Sequence, residues 1–211
     1  MKVIEKLEPS RHIQGRFLVW FSGEKDPVKV TENEVLSFSL YRGRELEEET
    51  VEQLLRSGGE SSAKARAARM LGQRLLSRKE LIQRLEEKGE LPEDAVTAAD
   101  YLEDIGALND LEYGRAVVRH YCGRGYGVQK LRMELQRRGV SRDLWEEALE
   151  EQSDPVQRVE LFIERRLRGK QPADEKEIKR VTDALMRRGF RWEEIRTGLA
   201  RYGSGLEEED I

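Results

Sequence analysis

One cysteine, Cys122, in 211 residues leaves no internal disulfide and fits a reducing compartment. Two histidines, His12 and His120, are too few for a histidine-based metal centre. His120 and Cys122 stand two apart on a helix, so they point to different faces, and no third residue orients the imidazole for nucleophilic catalysis. No run approaches the roughly eighteen apolar residues that span a membrane. Glu5, Lys6 and Glu8 interrupt the N-terminus where a signal peptide is apolar. These absences lead us to expect a soluble, cytoplasmic protein with no catalytic or metal site.

Charge is abundant instead. Charged residues make up 38% of the chain against 37% hydrophobic, which suits several thin cores edged by long Arg and Glu side chains. The net charge of −4 hides segregation. Residues 111–142 carry Arg115, Arg119, Arg124, Lys130, Arg132, Arg137, Arg138 and Arg142 against Glu112 and Glu134, a local balance of +6. Residues 143–154 carry Asp143, Glu146, Glu147, Glu150, Glu151 and Asp154, a balance of −6. A uniform binder of polyanions would not hold this much acid, so a partly basic face is expected.

A basic residue followed by glycine recurs every fifty residues: Lys88-Gly89, Arg138-Gly139 and Arg188-Gly189. Leu81 and Leu85, Leu131 and Leu135, and Val181 and Leu185 precede the pairs at matching offsets. A period of this length marks units that bury their apolar faces against one another. Each glycine reads as the left-handed stop of a middle helix, and the basic residue before it complements that helix's C-terminus.

The first fifty-six residues differ. Ile13–Phe21 and Val28–Val30 read as strands around the turn Ser22–Pro27, with Val3–Leu7 as a third. Thr31 with Glu34 forms a capping box before a short helix, and Glu47–Leu55 reads as another. Ser57-Gly58-Gly59-Glu60-Ser61-Ser62 reads as a flexible linker. Everything from Ala63 onward reads as helix. The expected organisation is a β-hairpin and short-helix segment at 1–56, three-helix repeats at 62–107, 108–152 and 153–203, and an acidic, frayed tail at 204–211. The fold class is mainly α: three tandem three-helix units in an elongated array behind a small β-containing segment.

Gly123-x-Gly-x-Gly127 lacks the Lys-Ser/Thr and the preceding strand of a phosphate loop, so it reads as an interhelical turn with Tyr126 tucked inward. The aromatics Trp145, Phe162 and Phe190 fall at core spacing, whereas Trp192 can face outward. Arg115 and Arg119 share a helix face, as do Lys130 and Arg137. With Arg124 and Arg132 they form the candidate partner-binding stripe. The alternative is a solvated face neutralised by neighbouring Glu and Asp.

The segment Gly127-Val128-Gln129-Lys130-Leu131-Arg132-Met133-Glu134-Leu135-Gln136-Arg137-Arg138-Gly139-Val140 resembles the middle repeat of RecX-type regulatory proteins. So does Tyr101-Leu102-Glu103-Asp104-Ile105-Gly106-Ala107-Leu108-Asn109-Asp110 with Tyr113 after it. The resemblance covers roughly residues 62–203. It is weakest in the third repeat, where Gly169-Lys170-Gln171-Pro172 stands in place of the Gly-aromatic-Gly turn. The N-terminal segment resembles the extension of some longer members. This resemblance implies a monomeric bacterial regulator of the RecA recombinase. Such a protein binds in the helical groove of the RecA–DNA filament and inhibits strand exchange, ATP hydrolysis and the coprotease activity behind the SOS response. It has no enzyme activity and needs no cofactor, meets DNA weakly or through the filament, and has no membrane partner. A helical-repeat module that binds DNA on its own is the alternative.

Overall fold

The computed structural model describes residues 1–168 and 175–209, with the backbone alone for 204–209. The chain divides into two compact units, Met1–Leu108 and Asn109–Ile211.

The first unit opens with an antiparallel sheet. Strands β1 (Lys2–Pro9), β2 (Arg16–Phe21) and β3 (Val28–Thr31) pair in sequence, with Ile4 opposite Phe21 and Val19 opposite Val28. Period-two alternation turns Ile4, Val19, Phe21 and Val30 into a shared core. Helix α1 (Glu32–Ser37) follows, and then β4 (Glu45–Leu46), which joins the far edge of β1 to complete the order β3-β2-β1-β4. No sequence signal marked β4; two residues are too few to show alternation.

Helix α2 (Glu48–Leu71) runs without a break through the segment expected to be a linker. The small residues there are packing devices. A Cβ on Gly58 would lie 2.9 Å from the Lys29 carbonyl oxygen, so only glycine lets the helix lie this close to β3. The serines point at buried charges. Ser57 donates to Glu34 at 3.1 Å, Ser61 donates to the same carboxylate, and Ser62 accepts from Arg16 at 2.9 Å. A composition that reads as flexible in isolation is fixed here by a buried glutamate and a neighbouring strand.

The rest of α2 packs with α3 (Arg78–Glu87) and α4 (Pro92–Asp104) around Ala67, Leu81, Leu85, Ala95, Ala99 and Leu102. Ser77 caps α3 by accepting from the Glu80 amide at 3.1 Å, and Pro92 occupies the first turn of α4.

In the second unit, α5 (Asp110–Gly123), α6 (Val128–Arg137) and α7 (Trp145–Leu149) surround Tyr113, Val118, Leu131, Leu135 and Ala148. Asn109 caps α5 by accepting from the Glu112 amide at 3.0 Å. Helices α8 (Pro155–Leu167), α9 (Glu175–Arg187) and α10 (Trp192–Glu209) enclose Val159, Ile163, Val181, Leu185, Phe190 and Ile195. Trp192 is 53% exposed, on the outward face its position beside Phe190 allowed. Backbone helix continues through Glu209 in the segment expected to fray, because nothing in Leu206–Glu209 breaks a helix. The expected turn at Gly169–Pro172 lies outside the described residues, as do the last two residues of the tail.

The three basic-glycine pairs end α3, α6 and α9 in one way. Gly89, Gly139 and Gly189 have φ of 84°, 74° and 86°. Their amides donate to Glu86, Gln136 and Met186, and the next amides reach back to Leu85, Leu135 and Leu185. These are Schellman stops, and the reversed bond lands on the leucine that anchors each core.

Glu34, 1% exposed, accepts from the Thr31 amide at 2.6 Å, the Thr31 hydroxyl at 2.7 Å, and Ser57 and Ser61. Burial alone would raise its pKa, but the hydrogen bonds from Ser61, Thr31 and Ser57 outweigh it and hold the carboxyl below its ordinary range. A carboxyl lowered in the fold stabilises above its unfolded pKa of about 4.3 and loses that contribution as pH falls through the folded value. Glu34→Ala is expected to lower unfolding free energy by about 3 kcal/mol at pH 7 by orphaning buried donors. In urea titrations from pH 7 to 3 the wild type should lose stability below about pH 4.3 more steeply than Glu34→Gln.

A candidate basic groove in the second unit

The second unit is fixed by a backbone contact between its two three-helix sets. The amide at the start of α6, Gly127 N–H, donates to the Arg188 carbonyl at 2.9 Å, and Gln129 N–H donates to the Gly189 carbonyl at 3.0 Å. Helix N-termini carry unpaired amides and helix C-termini unpaired carbonyls, so each end satisfies the other. The approach requires glycine on both sides. A Cβ on Gly127 would overlap the Gly189 carbonyl and the Phe190 nitrogen, and one on Gly189 would overlap the backbone of Lys130.

Arg188 pins the same junction from the side. Its Nη1 donates to the carbonyls of Arg124 at 3.1 Å and Gly125 at 3.4 Å. Its guanidinium lies 5.0 Å from the Phe162 ring centroid and 5.6 Å from that of Tyr126. Arg188 therefore serves the C-terminus of α5, whereas the sequence had assigned it only to its own helix. Arg158, 8% exposed, donates to the Tyr126 carbonyl at 2.5 Å, to Cys122 Sγ at 3.4 Å and to Gln152 at 3.2 Å. Burial pushes the Cys122 thiol up despite this cation.

Around the junction lies a groove of about 1020 Å³ lined by Arg119, Arg124, Arg158, Arg165, Arg166, Arg187 and Arg188, with Tyr126, Leu161 and Phe162 among its walls. The C-terminal turns of α5, α8 and α9 converge there, and arginines at those turns complement the three helix dipoles. Among the described residues, Glu151 is the one carboxylate in the lining, and it pairs with Arg119 at 3.2 Å and Arg115 at 3.9 Å. Among the same residues, Arg124, Arg165, Arg166 and Arg187 have no ion-pair partner.

The six stripe residues read from the sequence fall into two groups. Arg119 and Arg124 line the groove. The others are held elsewhere. Arg115 bonds Glu112 at 2.7 Å and Glu147 at 2.9 Å, and Arg132 bonds Glu146 at 2.8 Å. Lys130 and Arg137 converge on buried Glu134 at 3.3 and 2.8 Å. The acidic run after residue 142 thus folds back on the basic run before it. Arg158 and the doublets Arg165-Arg166 and Arg187-Arg188 were absent from the sequence-based set. The doublets are visible in the sequence, but nothing in their spacing says that two different helices end at one groove.

Gly127→Ala is expected to destabilise the second unit by about 2–3 kcal/mol, because neither backbone can retreat. Gly123→Ala, where a Cβ meets nothing within 4 Å, should change the urea midpoint little.

Comparison with known proteins places this geometry. Residues 109–149 match the family model of RecX, second three-helix domain, and residues 153–199 that of RecX, third three-helix domain. The regulatory protein RecX of Chromohalobacter salexigens is 32% identical over 141 residues, 67% of this chain and 93% of that protein. The one from Xanthomonas axonopodis pv. citri is 34% identical over 156 residues, 74% of this chain and 89% of that protein. A crystal structure of a regulatory protein RecX shares the fold over 93% of this chain and 98% of that one, at 19% identity and a TM-score of 0.72. That of RecX from Lactobacillus salivarius covers 69% of this chain and 97% of its own, at 19% identity and a TM-score of 0.63. With its two three-helix sets matched in order and relatives covered nearly end to end, the chain belongs to the RecX family of regulatory proteins.

Proposed function

We propose that this chain is a monomeric cytoplasmic regulator of the RecA recombinase that binds the RecA–DNA filament in its helical groove. Bound there, it holds down strand exchange, ATP hydrolysis and the coprotease activity. Membership of the RecX family supports this reading. The observation that carries it to particular residues is the groove whose arginines lie within the two RecX-matched segments. A filament of protein on nucleic acid is anionic at close range, and unpaired guanidiniums meet carboxylates or phosphates through their planar fork. Occupying the filament's groove excludes the second duplex, and a body touching neighbouring subunits opposes the rearrangement that ATP turnover needs.

The test is RecA's DNA-dependent ATPase and strand exchange with increasing amounts of the purified chain. Wild type should inhibit both. Arg165→Glu/Arg166→Glu/Arg187→Glu should need at least about tenfold more protein, equivalent to about 1.4 kcal/mol of binding. Arg115→Ala/Arg132→Ala, whose partners lie within the chain, should inhibit nearly as wild type does. If wild type in molar excess leaves both activities unchanged, the reading is wrong.

A further inference from the structure

The middle of α2 is a weak stretch of helix held in shape by its surroundings. Ser57-Gly58-Gly59-Glu60-Ser61-Ser62 carries two glycines and three serines, all poorer helix formers than alanine. Neighbouring elements compensate. Gly58 lies against β3, and Ser57 and Ser61 donate to Glu34 of α1. Ser62 accepts from Arg16 of β2 at 2.9 Å and donates to Glu90, between α3 and α4, at 3.2 Å. The sheet, α1 and the α3–α4 connection are thus all tied to less than two turns of α2.

Asp94 acts against these ties. It stands in the first turn of α4, is 6% exposed, and presses its carboxylate on Gly59, where a Cβ would overlap it. Among the described residues it has no hydrogen bond and no ion pair. Most charges facing it have its own sign: Glu60 from α2, Glu93 from α4 and Glu90 from the connection, with Arg56 of α2 as the opposing cation. The cations nearby are engaged with other carboxylates. Arg56 and Lys64 lie 3.4 and 3.9 Å from Glu60, and Arg66 lies 2.6 Å from Glu90. Burial, then Glu60, Glu93 and Glu90, raise the Asp94 pKa above the ordinary carboxylate range, and Arg56 does not offset them.

Two buried carboxylates therefore flank one weak stretch with opposite effects. Glu34 has its donors and stabilises the fold when ionised. Asp94 has none and destabilises it when ionised.

We propose that Asp94 makes the middle of α2 a proton-sensitive hinge between the β-containing segment and the first three-helix set. With Asp94 ionised, residues 57–62 open locally and admit water to the carboxylate. Protonation removes the repulsion from Glu60, Glu90 and Glu93, and α4 closes on Gly59. A carboxyl raised in the fold weakens it most above the folded pKa, and stability returns as pH falls through that value toward about 3.9. Glu34 gives way only below about pH 4.3, so α2 is tightest in mildly acidic solution. This hinge lies in the first unit and is independent of what the second unit binds.

Hydrogen exchange of the full chain, followed at the amides of Ser61, Ser62 and Ala63, reads this opening, because those amides bond the carbonyls of residues 57–59. Opening constants, corrected for the intrinsic exchange rate, are compared at about pH 7.5 and about pH 5.5. Wild type should open at least about threefold less at the lower pH, since one unit of elevation in the folded pKa is worth a factor of about ten. Asp94→Asn should open at least about threefold less than wild type at the higher pH and lose most of the pH dependence. That comparison also removes the contribution of other groups titrating in this range, His12 among them. Glu60→Gln, which takes away the strongest like charge, should show a smaller dependence than wild type.

Equal opening of the wild type at both pH values overturns the proposal. So does an Asp94→Asn chain that keeps the wild-type pH dependence or opens more than wild type at the higher pH. Should Asp94→Asn fail to fold, the wild-type profile and Glu60→Gln decide, and an unchanged dependence in Glu60→Gln counts against the hinge.

Discussion

Two glycines set the architecture of the second unit. Gly127 and Gly189 let the start of α6 and the end of α9 approach until amides and carbonyls bond directly. Whatever else the unit presents is placed by this junction. It fixes the α5 turn beside α8, brings Arg188 over Phe162 and Tyr126, and buries Arg158 beneath Tyr126. The groove exists because three helix C-termini are gathered at one spot, and the arginines there follow from the same electrostatics.

This arrangement explains how an acidic chain presents a basic surface. Most of the excess charge in residues 111–142 is matched by local carboxylates: Arg115 by Glu112 and Glu147, Arg132 by Glu146, and Lys130 and Arg137 by Glu134. For Glu134 burial pushes the pKa up, but bonds from Arg137, Tyr121 and Lys130 prevail and keep it ionised. The exposed pairs among these contribute little to stability; their effect is to remove cations from competition for an outside anion. Of the cations in that run left without an ion-pair partner among the described residues, Arg124 lies in the groove and Arg142 against the Trp145 ring.

Local features were legible in the sequence. The capping box of Thr31 with Glu34, the three basic-glycine stops and the leucines in front of them follow from spacing alone, because each depends on neighbours within one helical turn. Features depending on distant partners were not. Ser57–Ser62 has a linker's composition, yet Lys29 and Glu34 make it the middle of α2. The cation stripe in residues 115–137 rests on counting charges along the chain, which misses carboxylates fourteen to thirty-six residues away. The groove arginines on α8 and α9 were hidden for a related reason: the Arg188–Gly127 contact joins residues sixty-one apart, and no local pattern encodes it.

A rigid junction makes the groove preformed. Native-state hydrogen exchange of the Gly127 and Gln129 amides tests it directly. If these amides are held by the Arg188 and Gly189 carbonyls, they exchange only when the second unit unfolds, with the same opening free energy as core amides of α5 and α9. Exchange at the rate of exposed loop amides, while the cores of both three-helix sets stay protected, would mean that the junction opens on its own and the groove is not preformed.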